Sequence, residues 1–267
     1  MFQTIGFIGT GTMGGVLARA TAKGSPDSKL LFANRTPEKA QKLAGELGGY
    51  AASNEEIARR CDLIFLGVKP QMMAGMLAKI APVLAGRQDR FVLASMAAGL
   101  TIRRLRELAG LDCPVIRLMP NTPAAVGEGV IQLCEQDVRE EELTAFQALL
   151  SPAGLVDPID EYLIDAACAV SGCGPAFCAL FLEAMADGAV ACGLPRAKAL
   201  AYAAQTMAGT AQLMLQKKTH PGVLKDQVCS PGGSTIQGVR VLEHAKVRSA
   251  AFEAVVAAYE KTVDLGK

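Results

Sequence analysis

The first half of the chain alternates between short apolar runs and amphipathic stretches. The apolar runs predict strands over residues 3–8, 30–33, 63–68, 91–94 and 115–119. Between them, apolar side chains recur at helical spacing over residues 15–23, 37–47, 72–84 and 102–108. Because parallel strands need helical crossovers, this alternation predicts a parallel sheet that is covered by helices on both faces.

The pattern changes at about Ile159, where the strand signals stop. Apolar residues then follow helical spacing over residues 160–192, 196–216, 235–245 and 248–265. Ala, Gly and Met fill many of these positions, which suits close helix packing and a subunit interface. The predicted fold class is therefore α/β, with a Rossmann-type doubly wound sheet in residues 1–158 and an all-α domain in residues 159–267.

The composition argues against nucleic-acid binding, membrane association and zinc binding. The 267 residues carry a formal net charge of +1 and contain no tryptophan, so we do not expect a nucleic-acid partner. Charge or glycine interrupts every long apolar stretch and the N-terminus lacks an export signal, so we expect a cytoplasmic protein without a membrane partner.

The eight cysteines form no Cys-x-x-Cys pair, and there are two histidines. This favours small buried thiols in a reducing compartment over a zinc site.

A glycine-rich run follows the first predicted strand and opens the first helix. It reads Gly9-Thr10-Gly11-Thr12-Met13-Gly14. In this context Gly9 permits a tight turn, Gly11 lets the backbone approach a pyrophosphate, and Gly14 lets helix and strand pack closely. The run predicts a dinucleotide site, and the alternative is a flavin or another nucleotide on the same scaffold.

The end of the second predicted strand indicates which dinucleotide binds. A carboxylate there would accept hydrogen bonds from the ribose hydroxyls of NAD, but the chain has Asn34-Arg35-Thr36. Arg35 can pair with a 2′-phosphate, and Asn34 and Thr36 can donate hydrogen bonds to it. NADPH is therefore the predicted cofactor. In the alternative, with NADH, Arg35 is a solvated side chain and Thr36 only caps its helix.

Three further loops follow predicted strands at the edge where open α/β sheets bind ligands. The first is Val68-Lys69-Pro70, in which Lys69 is a proton donor, a phosphate contact or a plain surface lysine. The second runs over residues 95–99. The third, residues 119–123, contains two prolines that stiffen it, and we expect it to line the nicotinamide pocket.

Two unusual segments lie in the predicted helical domain. Residues 171–176 contain two glycines and a proline, which predict a kink or, alternatively, a ligand contact. The run Ser230-Pro231-Gly232-Gly233-Ser234-Thr235 predicts a tight turn before a helix. Such a turn can be a plain helix cap. Alternatively, it is a binding site for a small anion, because its N–H groups can converge at the helix N-terminus.

These runs resemble the pyrroline-5-carboxylate reductase family. The resemblance rests on residues 6–11, 68–70, 119–123, 171–176 and 220–236, which occur in the family's order along the whole chain. The last run is specific to the family, whereas many dehydrogenases share the first. The resemblance implies reduction of 1-pyrroline-5-carboxylate to L-proline with NAD(P)H, the last step of proline biosynthesis. It also implies homodimers that interlock through the C-terminal helices and that stack into decamers in some members.

The family motifs imply roles for individual residues as well. The implied cofactor contacts are Asn54, Val68, Lys69, Pro70, Met96, Ala97, Ala98 and Gln227. Ser234 and Thr235 would bind the substrate, with Glu161 nearby. Cys173 stands where a serine is common, which puts a hydroxyl role there in doubt, whereas Gln227 in place of a frequent Asn keeps an amide contact.

A protonated cyclic imine is already electrophilic, so catalysis needs mainly the positioning of hydride donor and acceptor. We expect the N–H groups of Gly233, Ser234 and Thr235 to hold the substrate carboxylate. As the predicted catalytic residue, Thr235 would reach the ring nitrogen through its Oγ, directly or through water. The cofactor motif and this loop lie in different predicted domains and must meet, within one subunit or across a dimer.

Two other classes of protein remain as alternatives. One is a reductase of another cyclic imine or of a β-hydroxyacid, but Lys198 lacks the motif that surrounds the catalytic lysine of β-hydroxyacid dehydrogenases. The other is a non-enzymatic NADPH sensor, which would keep residues 9–14 and have no use for residues 230–235.

Overall fold

The computed structural model describes residues 2–265, so the outermost residues of the two predicted domain ranges, 1 and 266–267, lie outside it. The strands of the described chain are β1 (Thr4–Ile8), β2 (Lys29–Ala33), β3 (Tyr50–Ala51), β4 (Leu63–Leu66), β5 (Val92–Ser95), β6 (Val115–Pro120), β7 (Gly129–Gln136) and β8 (Gly154–Pro158). They form one sheet in the order β3-β2-β1-β4-β5-β6-β7-β8.

This strand order reverses between β1 and β4, which are hydrogen-bonded neighbours. Ile5 of β1 pairs with Leu30 on one side and with Leu63 on the other. In a doubly wound sheet, such a reversal opens a crevice at the carboxyl ends of the strands. The predicted Rossmann-type sheet is therefore confirmed, and its ligand edge is fixed by topology.

The helices are α1 (Thr12–Gly24), α2 (Pro37–Leu47), α3 (Asn54–Arg60), α4 (Pro70–Ala85), α5 (Ile102–Ala109), α6 (Glu140–Leu150), α7 (Ile164–Ser171), α8 (Gly174–Ala191), α9 (Arg196–Lys217), α10 (Pro221–Val228), α11 (Ser234–His244) and α12 (Val247–Leu265). The chain divides into two compact units. Residues up to Gly172, together with the end of the chain from Tyr259, form the sheet unit, and Cys173–Ala258 form the helical unit. The predicted domain boundary near Pro158 coincides with the end of the last strand and stays a prediction.

Each face of the sheet carries its own apolar core, as expected for a sheet that is covered on both sides. On one face the rings of Phe7 and Phe65 stack with centroids 4.5 Å apart, and Phe32 and Phe146 extend the stack. On the other face, side chains such as Leu77 pack from α4 against β4 and β5. The sheet unit therefore has a complete core of its own.

The five predicted strands pair in parallel as expected, whereas β7, which was not predicted, runs antiparallel to β6. Residues 122–126 form a short 3₁₀ turn between these strands, and so short a connection cannot support a parallel crossover. Several other elements were also missed: β3, α3, β8 and α10, together with β7 and the 11-residue helix α6.

Candidate active site

Three glycines let the chain after β1 and the chain after β4 approach each other. Gly9 has φ +99°, a left-handed conformation that favours glycine, and a Cβ on it would lie 2.6 Å from the carbonyl oxygen of Gly67. A Cβ on Gly14 or on Gly67 would collide with the carbonyl oxygen of Gly9. Packing therefore requires these glycines, and they hold the start of α1 against the point where the strand order reverses.

Gly11 differs from these glycines, because a Cβ on it would meet no atom within 4 Å in the described chain apart from its two chain neighbours. It is the N-cap of α1, and Thr12 and Met13 begin that helix. Beside it, Thr10 is 9% exposed, and its Oγ1 has no hydrogen-bond partner within residues 2–265. An open space at a helix N-terminus beside an unpaired hydroxyl fits the pyrophosphate of a dinucleotide.

The end of β2 borders a cleft of 310 Å³, which Asn34 and Asn54 help to line. Asn34 Oδ1 accepts a hydrogen bond from the N–H of Thr10 at 3.3 Å, and its Nδ2 donates to the carbonyl oxygen of Thr36 at 3.1 Å. Thr36 is the N-cap of α2 by position, although its hydroxyl makes no cap hydrogen bond in the described structure. Asn34 thus orders the loop, while Arg35 and Thr36 are exposed and accessible to a ribose phosphate.

The loops that follow β4 and β5 lie side by side, because these strands pair in parallel. Lys69 is exposed at the N-cap of α4, whereas Ala97 is buried and its N–H donates to the Oγ of buried Ser95 at 3.3 Å. The structure therefore places the loop residues predicted to contact the cofactor at the same edge as the glycine run: Val68, Lys69, Pro70, Met96, Ala97 and Ala98.

A buried polar cluster near this edge was missed by sequence reasoning. Asn121 Nδ2 donates to the carbonyl oxygen of Ser171 at 2.9 Å, and Asn121 Oδ1 accepts from the N–H of Val130 at 2.9 Å. Gln132 Nε2 donates to Ser171 Oγ at 2.7 Å. Since Asn121 is 7% exposed and both ends of its amide are engaged, it joins β6, β7 and α7. The predicted pocket-lining role of residues 119–123 stays a prediction.

In the helical unit, Ser230–Gly233 form the predicted turn, which leads directly into α11. Gly232 has φ +70°, and the N–H of Gly233 donates to the carbonyl oxygen of Ser230 at 3.0 Å. The N–H of Gly233 is therefore engaged within the turn. Ser234 and Thr235, the first residues of α11, are exposed and present the accessible N–H groups.

Two other predicted contacts lie on different elements. Glu161 opens a 3₁₀ turn before α7, where its Oε1 accepts from the N–H of Ile102 at 2.8 Å and lies 3.2 Å from Arg117 Nη1. Gln227 is exposed on α10. Their roles toward substrate and cofactor stay predictions.

The cysteines differ in burial: three are buried, three are partly buried and two are exposed. Burial raises the pKa of Cys61 and of Cys134 to about 12 and that of Cys113 to about 11, so these thiols stay protonated at neutral pH. Cys178 and Cys192 are exposed, which corrects the expectation that the thiols are uniformly buried. Within residues 2–265, no group of three or more His, Cys, Asp or Glu side chains could hold a metal ion.

Comparison with known proteins assigns both halves of the chain. A family model described as NADP oxidoreductase, coenzyme F420-dependent, matches residues 4–99, and one described as pyrroline-5-carboxylate reductase dimerisation matches residues 161–265. The chain is 40% identical to the pyrroline-5-carboxylate reductase of Escherichia coli strain K12 over the whole of both proteins. The chain belongs to the pyrroline-5-carboxylate reductase family.

Solved structures agree with this membership. The pyrroline carboxylate reductase of Plasmodium falciparum, with NADP bound, is 33% identical, has a TM-score of 0.85 and is matched over 99% of this chain and 98% of that one. A pyrroline-5-carboxylate reductase from Coxiella burnetii is 28% identical with a TM-score of 0.90 and is matched over 98% of both chains. The predicted family, fold class, enzyme class and NADP-type cofactor are therefore confirmed.

Membership in a reductase family with a dimerisation domain explains the surface of the helical unit. Its buried core, as far as the chain is described, is a cluster of Ala186, Ala199 and Ala203. Large apolar side chains lie outside it, and Leu180 and Leu215 are each 71% exposed. So much exposed apolar surface needs a protein partner, which agrees with assembly of this reductase into a homo-oligomer.

One stretch of the described chain, Glu161–Ala191, is long and apolar enough to cross a membrane. Its most apolar 18 residues have a mean hydropathy of 1.6, and 11% of them are buried. The sequence expectation was that charge or glycine breaks every long apolar stretch. A single such helix is weak evidence for a membrane, because the same composition suits a subunit interface.

Proposed function

We propose that this protein reduces 1-pyrroline-5-carboxylate to L-proline with NADPH, in the cytoplasm and as the last step of proline biosynthesis. The observation that carries the proposal is the turn over Ser230–Gly233. It leads into α11, whose exposed N-terminus is suited to bind an anion. This run is the part of the chain most specific to the family. The sheet unit supports the proposal through the dinucleotide edge at residues 9–14.

The substrate carboxylate binds at the N-terminus of α11. Two N–H groups, those of Ser234 and Thr235, face no acidic residue in the first turn of this helix, and the helix dipole favours a negative charge there. The N–H of Gly233 serves the turn itself. Gly232 and Gly233 thus shape the turn before the helix, and Ser234 and Thr235 contact the substrate carboxylate.

The reaction needs few protein groups. NADPH, when bound, supplies the hydride. Thr235 Oγ1 holds the protonated ring nitrogen, directly or through water, so that the carbon of the C=N bond takes the hydride and the π electron pair becomes the nitrogen lone pair. The ring orientation follows from two fixed points, the carboxylate at the helix N-terminus and the nitrogen at the hydroxyl.

The sheet unit holds the cofactor along its carboxyl edge. The open space at Gly11 and the unpaired Thr10 hydroxyl receive the pyrophosphate, while the exposed Arg35 and Thr36 receive the 2′-phosphate beside the cleft that Asn54 lines. The loops after β4 and β5 lie on the nicotinamide side. Gln227 supplies an amide contact to the cofactor, as the family resemblance implies.

The activity is tested by following NADPH oxidation at 340 nm with 1-pyrroline-5-carboxylate as substrate. The comparison arms are other cyclic imines and, in the reverse direction, 2-hydroxyacids and β-hydroxyacids with NADP. Reduction of 1-pyrroline-5-carboxylate well above the other arms is the expected result. Preferred use of a hydroxyacid would exclude the proposal. Binding of NADPH without turnover of any of these substrates would indicate a cofactor sensor.

Cofactor preference depends on Arg35. Arg35→Ala is expected to raise KM for NADPH about tenfold, because a charge-assisted hydrogen bond to the phosphate is lost, and to leave KM for NADH within about twofold. Arg59→Ala removes an exposed cation from α3 and serves as the control for net charge. Equal effects of Arg35→Ala on the two cofactors would show that this side chain is merely solvated.

The assembly proposed is a homodimer through the C-terminal helices, with a decamer as the larger form. The exposed apolar surface of the helical unit supports the dimer, and the net charge of +1 argues against a nucleic-acid partner. Light scattering of the purified protein distinguishes a dimer from a decamer by mass.

A further inference from the structure

A buried guanidinium links the sheet to the segment before α7. Arg117 in β6 is 2% exposed, its Nη1 lies 3.2 Å from Glu161 Oε1, and its Nη2 lies 3.0 Å from Asp165 Oδ1. Between the two carboxylates in the chain, Ile164 is fully buried. Packing and charge together therefore fix the position of Glu161.

Glu161 makes a second contact that Asp165 does not share. Its Oε1 also accepts from the N–H of Ile102 at 2.8 Å, and Ile102 is the first residue of α5. A carboxylate at a helix N-terminus is stabilised by the exposed N–H groups and the helix dipole. Within the described residues, Asp165 has no hydrogen bond to α5, so the two partners of Arg117 differ in this one respect.

The segment between β5 and α5 is thereby held at both ends. At its start, Met96 N–H donates to the carbonyl oxygen of Leu66 at 3.4 Å and Ala97 N–H donates to Ser95 Oγ at 3.3 Å. At its end, Glu161 holds the N–H of Ile102. The cofactor contacts proposed for this segment lie between these anchors.

We infer that Glu161 is a positioning residue for the cofactor loop, acting through Ile102 rather than by touching substrate. Arg117 holds its carboxylate, the carboxylate fixes the start of α5, and this fixes the backbone of residues 96–98 before NADPH arrives. The inference rests on the proposed function only in assigning that loop to the cofactor. It gives Glu161 a role different from the substrate contact that the family resemblance implies.

The test compares Glu161→Ala with Asp165→Asn. Glu161→Ala removes one charged partner of Arg117 and Asp165→Asn neutralises the other, so both are expected to lower Tm. The Kd of NADPH, measured by fluorescence titration without substrate, is expected to rise about tenfold in Glu161→Ala and less than about twofold in Asp165→Asn. Glu161→Gln keeps an acceptor for the N–H of Ile102 and is expected to recover most of the affinity.

Three results would overturn the inference. The first is a wild-type Kd for NADPH in Glu161→Ala. The second is a rise in KM for 1-pyrroline-5-carboxylate alone, which would place Glu161 on the substrate. The third is equal weakening in Glu161→Ala and Asp165→Asn, which would trace the effect to lost stability. Failure of the proposed function is distinguishable, because wild-type protein would then bind NADPH without reducing 1-pyrroline-5-carboxylate.

Discussion

Gly11→Ala is expected to weaken NADPH binding by about a hundredfold while Tm stays close to the wild-type value. Apart from its two chain neighbours, the added methyl group meets no atom of the described chain within 4 Å, and Gly11 has φ −69°, which any residue can adopt. The protein therefore tolerates the methyl group, but the pyrophosphate, which needs that space, does not. Fluorescence titration gives the Kd, and a thermal melt gives Tm.

Gly15→Ala is the matched control for this prediction. It adds the same methyl group four positions along the chain, in the first turn of α1, where its nearest neighbour is Nη1 of Arg19 at 3.2 Å, an exposed side chain that pairs with Glu46. Alanine is favoured over glycine in a helix by up to about 1 kcal/mol, so Tm should hold or rise. Wild-type NADPH affinity in Gly11→Ala would mean that the pyrophosphate binds elsewhere.

Thr235→Ala is expected to lower kcat/KM for 1-pyrroline-5-carboxylate by about a hundredfold, the usual scale for removing one positioned hydrogen-bonding group. The Kd of NADPH should not change, because the cofactor is proposed to bind mainly in the sheet unit. Thr235 is exposed at the start of α11, so losing its hydroxyl leaves no buried partner unpaired.

Thr235→Ser separates the hydroxyl from the rest of the side chain. The serine variant is expected to keep activity within about fivefold of wild type, since a hydroxyl at helix N-terminal positions remains available. Steady-state kinetics at saturating NADPH measures both variants. If alanine and serine lower kcat/KM equally, the methyl group matters and the hydroxyl has no role at the ring nitrogen.

Local features of the site could be predicted from sequence, because they depend on neighbouring residues. The requirement for Gly14 follows from its close contact with Gly9 in the same strand, turn and helix, and the turns at Gly9 and Gly232 follow from their own conformations. The same turn also shows a limit. Sequence alone treated the N–H of Gly233 as free for substrate, whereas the turn's own hydrogen bond uses it.

Contacts between distant segments could not be predicted. The carbonyl of Ser171 and the amide of Asn121 are 50 positions apart, and Glu161 and Ile102 are 59 positions apart. No periodicity in the sequence relates such pairs. They depend on β7 running antiparallel beside β6, which brings α7 onto that part of the sheet, and this reversal was itself missed.

The three-alanine core of the helical unit has a thermodynamic consequence. Three buried alanines, with Leu182, Ala189, Val190 and Leu194 partly buried against them, form a small core for ordering the long helices α8 and α9. In the homo-oligomer, burial of the exposed apolar side chains of this unit adds the free energy of association to its free energy of folding. The stability of the helical unit then depends on protein concentration, and dilution lowers its free energy of unfolding.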